Sequence, residues 1–487
     1  MPPFKLNAKI QESIPQWLLV VGIGIAIGIG TMQMTVLPPK WLMLVIAACL
    51  FAFVVVIVGN IRKLLLTLIL FDIPFQLDIH LGYRTDIPEY GAIGGWNLSI
   101  TSIALIVLYV LWFLENYASY PTTRSKASLG KSLIPLSVYL GFCLLSIVAA
   151  KDMQLAAFEN FMLLQQLLLF IYIVGTVKTR EEVKYILLIL FVGLILEGTI
   201  VIMLRGIGHT IKIAGMKARV DKGMRIGGTV GGPNTAGGYF SLLLVPALSM
   251  LIANSTKIYK WVGAVAFGLG AMAIVLTMSR GGWVAFILSS LIFISISWSR
   301  GWLSIRIPMV MFVVALLLAL LFHEILLERL FGDDDGAAQA RWPLMQLAFR
   351  IIMANPFLGV GINNFSLVMN DYISHELSGL WLYAVHNKYL LVWAETGPGG
   401  LMAFLTFLGF SIRNGWRCWK SQDKFFAPVG LAISAAIIGH MAHMHFDTFQ
   451  NRALVQILWI SCALTLTILN ILNTEKAQTA SEKTMPA

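Results

Sequence analysis

Charge is what this sequence has least of. Only 12% of its 487 residues are Asp, Glu, Lys or Arg, where a soluble globular domain carries about 25%. With 58% hydrophobic residues beside them, too little polar surface remains to meet water, and the solvent must be lipid. Cysteine is scarce as well. Cys49, Cys143, Cys418 and Cys462 fall in or beside apolar runs with no CxxC spacing, which argues against a disulfide framework or a thiolate zinc site and leaves buried free thiols. No internal repeat is present, so an inverted-repeat transporter architecture has no support. The net charge of +11 invites a nucleic-acid reading. However, Lys and Arg stand in short clusters between apolar runs, the pattern of topology signals and local anion sites, and no nucleic-acid partner is expected.

A spanning helix needs roughly 20 apolar residues. Apolar runs predict fourteen spans, at 16–36, 41–59, 64–80, 98–115, 132–150, 155–177, 184–204, 235–254, 260–278, 282–298, 307–326, 386–413, 425–445 and 452–472. The expected fold class is an all-α polytopic membrane protein with about 14 transmembrane helices (12–14) and two long outer loops. No cleavable signal peptide is expected, since the first run, from Trp17, is long enough to stay as an anchor. Asp72, Pro74 and Asp78 weaken the third span. The twelfth is broken by Gly397-Pro398-Gly399-Gly400, a break tolerated only where the freed backbone faces protein or a wet cavity.

Placing the N-terminus in the cytoplasm puts 20 of the 35 Lys and Arg on that side, spread through nearly every short loop, as the positive-inside rule requires. Four regions follow: N-terminal helices (1–204), a core (205–413) carrying outer loops 205–233 and 327–385, C-terminal helices (414–472) and a disordered cytoplasmic tail (473–487). One outer loop breaks the charge rule. It gathers Arg205, Lys212, Lys217, Arg219, Lys222 and Arg225, opposed by Asp221 alone. An anionic ligand is the functional reason for such a cluster, and a long loop that escapes the rule is the bland one. In the second outer loop, Leu344, Leu347, Ala348 and Ile351 recur at helical spacing after Arg341. This predicts an amphipathic helix on the membrane surface or over a cavity.

Four motifs carry candidate chemistry. Arg225-Ile-Gly-Gly-Thr-Val-Gly-Gly-Pro-Asn234 precedes a span; its glycines let backbone amides approach a ligand and its helix start favours anions, a plausible phosphate cradle. Ser279-Arg280-Gly281-Gly282 places an arginine at the membrane boundary, where it serves as a site residue, a snorkelling anchor or half of an ion pair. His386-Asn387-Lys388-Tyr389 opens a span, and the positive end of a helix dipole suits a histidine to general-base work, the alternative being an interfacial histidine with no role; Glu395, one to two turns further in, could pair with an arginine. Gly439-His440-Met441-Ala442-His443-Met444-His445-Phe446-Asp447 closes another span. His440 and His443 share a face there, as a metal pair, a polar cavity wall or simple packing. Asp333-Asp334-Asp335 lacks EF-hand spacing and reads as a solvated turn.

These pieces, in this order, together with Arg341-Trp342 and Asn355-Pro-Phe-Leu-Gly-Val-Gly361, resemble the O-antigen ligase/polymerase family of bacterial surface-polysaccharide enzymes. The likeness covers about residues 225–400, and the flanks by hydropathy only. Gly232 stands where many relatives have a histidine, so no histidine role carries over there. The resemblance implies an inverting, metal-independent glycosyltransferase of the bacterial inner membrane, without cofactor, its site facing the periplasm. Its donor is a glycan on undecaprenyl pyrophosphate and its acceptor a glycan or glycolipid, with membrane lipid and a chain-length regulator as further partners. His386 is the base candidate and Arg225, Arg280 and Arg341 the pyrophosphate clamp. Asn234, Asn387, Glu395, Arg219, Lys222 and His443 are substrate-binding candidates. A polymerase is the first reading and an O-antigen ligase onto lipid A-core the second. A transporter is the rival class, disfavoured because the ionisable residues gather at the rim.

Overall fold

The computed structural model describes residues 59–86, 91–118, 133–213, 216–304, parts of 306–329, 341–373 and 383–484. The expected spans 16–36 and 41–59, most of 307–326, the Asp333–Asp335 turn and Cys49 lie outside the described residues. The chain divides into Met1–Leu68 and Ile69–Ala487. The second unit holds both sheets and every site residue discussed below.

In chain order the elements are α1 (Ile61–Phe75), a hairpin of β1 (Asp78–Leu81) and β2 (Trp96–Ser99), α2 (Ile100–Ala118), α3 (Leu133–Leu145), α4 (Met153–Thr176) and α5 (Arg180–Ile207). A three-stranded antiparallel sheet follows, β3 (Ile211–Ile213), β4 (Met216–Asp221) and β5 (Arg225–Gly228). Then come α6 (Pro233–Ile252), α7 (Lys257–Leu276), α8 (Arg280–Ser299), α9 (Arg341–Ala354), α10 (Lys388–Trp419), α11 (Phe426–His443) and α12 (Arg452–Thr484). Among the described residues, eight helices are long and apolar enough to cross a membrane: α4 to α8 and α10 to α12. The shorter α2 and α3 match the expected spans 98–115 and 132–150. The small sheets join the spans at one end, so the all-α reading holds for the membrane layer.

Local chemistry sets the helix starts. Asp152, Ser279 and Asn387 cap α4, α8 and α10 with their side chains, Thr179 and Glu182 form a capping box on α5, and Pro233 opens α6. Helices α6, α11 and α12 form the centre, with 83%, 83% and 89% of their apolar windows buried, against 28% for α7 and α8. The outward faces of α7 and α8 expose Trp261, Val284, Ile287 and Leu291, side chains that only lipid covers at no cost.

Helix α12 continues through Asn473 to Thr484, where the sequence reading places a disordered tail. The reason is local: Glu475 receives a bidentate Arg180, whose third nitrogen lies 2.6 Å from Asp423, and the residues that follow are mostly good helix formers.

The break in α10 faces protein. Gly397 is non-helical (φ 73°) and Pro398 has no N–H for the carbonyl of Ala394. The outer loop supplies donors instead: Val360 N–H reaches Ala394 O at 2.9 Å and Gly361 N–H reaches Glu395 O at 3.0 Å. Next along the chain, Asn363 grips the backbone of Ile93 and Leu155, and Asn364 grips that of Asp152. Helix α9 packs Leu344, Leu347, Ala348 and Ile351 against Leu390, Leu391 and Ala394 of α10, the apolar stripe expected from the sequence. The second outer loop is thereby pinned over the helix ends.

Candidate functional site

The N-terminus of α10 and the C-terminus of α11 meet where Lys388 N–H donates to Met444 O and the Tyr389 hydroxyl to Met441 O. This places His386 beside Asp447. Its Nδ1 is 3.8 Å from Asp447 Oδ1, an electrostatic contact too long for a hydrogen bond. The imidazole stacks on Tyr383, with centroids 5.3 Å apart and planes within 8°. Burial pushes the Asp447 carboxyl up, but His386, His443 and the Thr448 amide together hold it below the usual carboxylate range. Arg341, Met345, His386, Asn387, His445 and Phe446 line a cavity of about 500 Å³ here.

Arginines converge on the same rim. Arg225 donates from Nη2 to Asn234 Oδ1 at 2.8 Å, while its buried Nε has no partner. Burial lowers its pKa to about 10, as does the Arg329 guanidinium; Asp221 and Asp447 oppose this, and Arg280 adds to it. It therefore stays charged at neutral pH. Arg280 donates twice to the carbonyl of Arg329, at 2.9 and 2.6 Å, and Arg329 donates from Nε to Met278 O at 2.8 Å. Guanidiniums brought this close from distant parts of the chain favour an anion among them.

The glycine-rich loop is built differently from a phosphate cradle. The amides of Thr229 (2.8 Å) and Val230 (3.4 Å) and the Thr229 hydroxyl all donate to Glu197. That carboxylate belongs to α5, ten residues before its end at Ile207, or about 15 Å of helix. Those amides already hold a carboxyl group from the protein, so this part of the motif is a clasp that fixes the Arg225–Asn234 segment, and Gly228 is needed where its φ of +62° brings the loop onto Glu197. The glycines of Ser279-Arg280-Gly281-Gly282 act by close approach. A Cβ on Gly282 would lie 2.9 Å from Gly237 of α6, and one on Gly281 would enter the ring of His443.

The other candidates separate. His443 is buried against Phe449, with Nε2 3.5 Å from the Ser279 hydroxyl, and the charges of Asp447 and Arg341 act on it. Asn387 lines the cavity, but its Oδ1 is committed to the amides of Tyr389 and Leu390. Among the described residues Glu395 meets no arginine: it is buried two turns inside α10 and accepts from the amide of Phe365, anchoring the second outer loop. Arg219 is exposed and paired with Asp221, and Lys222 is exposed on the turn before β5. Of the basic cluster, then, Arg225 alone reaches the buried rim among these three. His440 and His443 stand with ring centroids 6.3 Å apart, and no three His, Cys, Asp or Glu side chains are grouped to hold a metal among the described residues.

Residues 264–405 match the family model described as O-antigen ligase. The match supports the O-antigen ligase family for this stretch. The matched segment runs from α7 into α10 and contains Arg280, Arg329, Arg341 and His386; Arg225 and Asp447 reach the same rim from outside it. No curated protein matches the chain. Two rim residues escaped sequence reasoning, Arg329 and the partnership of Asp447 with His386. Arg329 sits in no motif, and Asp447 read only as the end of the His-rich run.

Proposed function

We propose that this protein is a glycosyltransferase of surface-polysaccharide assembly, moving a glycan from undecaprenyl pyrophosphate to an acceptor hydroxyl on the outer face of the bacterial inner membrane. The observation that carries the reading is the meeting of Arg225, Arg280 and Arg329 with His386 and Asp447 beside the Arg341-lined cavity. In an inverting displacement the acceptor oxygen attacks the anomeric carbon as the bond to pyrophosphate breaks. Negative charge grows on the leaving group, and preorganised guanidiniums stabilise it without reorganisation. Arg225 brings a buried, unpartnered Nε to that task. The acceptor proton passes to His386, and Asp447 stabilises the imidazolium that forms. Arg341, in the same cavity, is placed to contact donor or acceptor.

The test is reconstitution of the purified protein with an undecaprenyl-pyrophosphate-linked repeat unit. A ladder of lipid-linked products is expected for the polymerase that we favour. A single transfer to added lipid A-core makes it a ligase, and movement of lipid without a covalent product makes it a transporter. Within that assay, Arg225→Lys is expected to lower kcat/KM roughly 10- to 100-fold, because a point charge cannot replace a fork that holds Asn234 and the leaving group together. Lys222→Ala should change it less than about twofold, since exposed charges are screened over about 10 Å. Equal tolerance at both positions would reduce the cluster to nonspecific steering.

The outward orientation rests on charge bias. With the four native cysteines replaced by serine, Lys222→Cys should react with a membrane-impermeant maleimide in spheroplasts, and Lys420→Cys only after permeabilisation. The opposite pattern would turn the site to the cytoplasm.

A further inference from the structure

The chain leaving Asp447 runs into the wall of a second cavity, of about 490 Å³, within the range of small-molecule sites, about 300–1,000 Å³. Gln76, His80, Tyr83, Asn97, Gln450 and Asn451 contribute most of its polar lining. Its one guanidinium, Arg452, is held by Asp72 at 3.0 Å and Asp78 at 2.6 Å. One cation beside two carboxylates makes this a poor place for a phosphate.

Two acceptors in the wall are unsatisfied. Asn97 and Gln450 are 5% and 7% exposed, and neither Asn97 Oδ1 nor Gln450 Oε1 receives a hydrogen bond. Buried amide oxygens almost always have a donor, and both residues line the cavity. A neutral ligand rich in O–H groups is one class that supplies such donors once these side chains turn toward it. Tyr83, half exposed and edge-on to His80, adds an aromatic surface of the kind that covers the C–H face of a sugar ring. The wall also grips the transfer site. Gln76 donates to the carbonyls of Thr229 and Val230, and Asn451 to Val230 O at 3.2 Å, within the loop between Arg225 and Asn234.

We propose that this cavity is a saccharide-binding subsite, holding a sugar of the donor or acceptor glycan while its neighbour reacts at His386. The assignment to a glycan substrate rests on the transferase reading, whereas sugar binding is measurable without it. The probe is the repeat-unit oligosaccharide released by mild acid from the surface polysaccharide of the producing bacterium, titrated against full-length protein in nanodiscs by saturation-transfer NMR. Gln450→Met removes one unpartnered oxygen without breaking a hydrogen bond within the protein, and Ala92→Phe fills the space. Each is expected to weaken oligosaccharide binding at least tenfold with an unchanged melting temperature. In the transfer assay the same variants should raise KM for one substrate: the acceptor if the acceptor glycan sits here, the donor if the donor glycan does.

Wild-type affinity in both folded variants overturns the subsite, as does absence of binding to the wild-type protein at millimolar oligosaccharide; transfer by the wild type then leaves the transferase reading intact. Binding that both variants lose, with no transfer by the wild type, keeps the subsite and removes the transferase.

Discussion

His386→Ala is expected to lower turnover by about 10²–10⁴-fold, the usual worth of a general base, while donor binding is retained. The two quantities should separate because different groups carry them. In the proposed mechanism binding falls to the guanidiniums of Arg225, Arg280 and Arg329, which are anchored independently of His386: by Asn234, by the Arg329 carbonyl and by Met278 O. His386 contributes to none of those anchors. Its neighbours are the Tyr383 ring and the Asp447 carboxylate. The helix start beside it is fixed by Asn387 and by the Lys388–Met444 hydrogen bond, so truncating the imidazole should not unravel α10. Asp447→Asn should follow the same pattern with a smaller loss, since it removes the charge facing the imidazolium and leaves the base in place. Turnover and donor affinity measured on the same folded protein decide the matter. An alanine variant that binds weakly, yet turns over at the wild-type rate when saturated, would strip His386 of the role of base.

Arg452→Ala carries the largest expected effect on stability. The Arg452 side chain is 2% exposed and lies 3.0 Å from Asp72 and 2.6 Å from Asp78. It also donates to Gln456 Oε1 at 2.7 Å. Its removal leaves two buried carboxylates without a counter-ion, and breaking a buried pair this way costs about 3–5 kcal/mol. The loss should appear as a lower midpoint of unfolding in detergent, and Arg452→Lys should recover only part of it, because one ammonium cannot bridge both carboxylates as the fork does. A midpoint unmoved in Arg452→Ala would mean that the carboxylates are protonated or hydrated and the network is not what joins α1, β1 and α12.

The Arg452 network also marks where sequence reasoning stops. Asp72, Pro74 and Asp78 read only as flaws in an apolar run. The two aspartates meet the guanidinium 374 residues beyond Asp78, and no local pattern reveals a pair so distant. The glycine-rich loop misled in a related way. Glycines announce close approach without naming what approaches, and the approaching group was Glu197, hidden in an apolar helix. Glu395 likewise looked like an arginine partner by position, yet the α10 break brought it the second outer loop's backbone instead.

Hydropathy by itself determined the membrane solvent, the eight long apolar helices among the described residues, and the amphipathic stripe of α9, because these depend on the period and length of local apolar runs. Local chemistry also exposed the Arg225, Arg280 and His386 motifs, since a charge near a span end stands out against an apolar background, and Arg341 at the start of the amphipathic stretch. Tertiary structure decided the rest: which helix ends share a rim, that Arg329 and Asp447 join it, that Arg219 and Lys222 stay outside, and that a second polar cavity lies beside it. Those facts turn on which distant backbones come within hydrogen-bonding distance, and such distances exist only once the chain has folded.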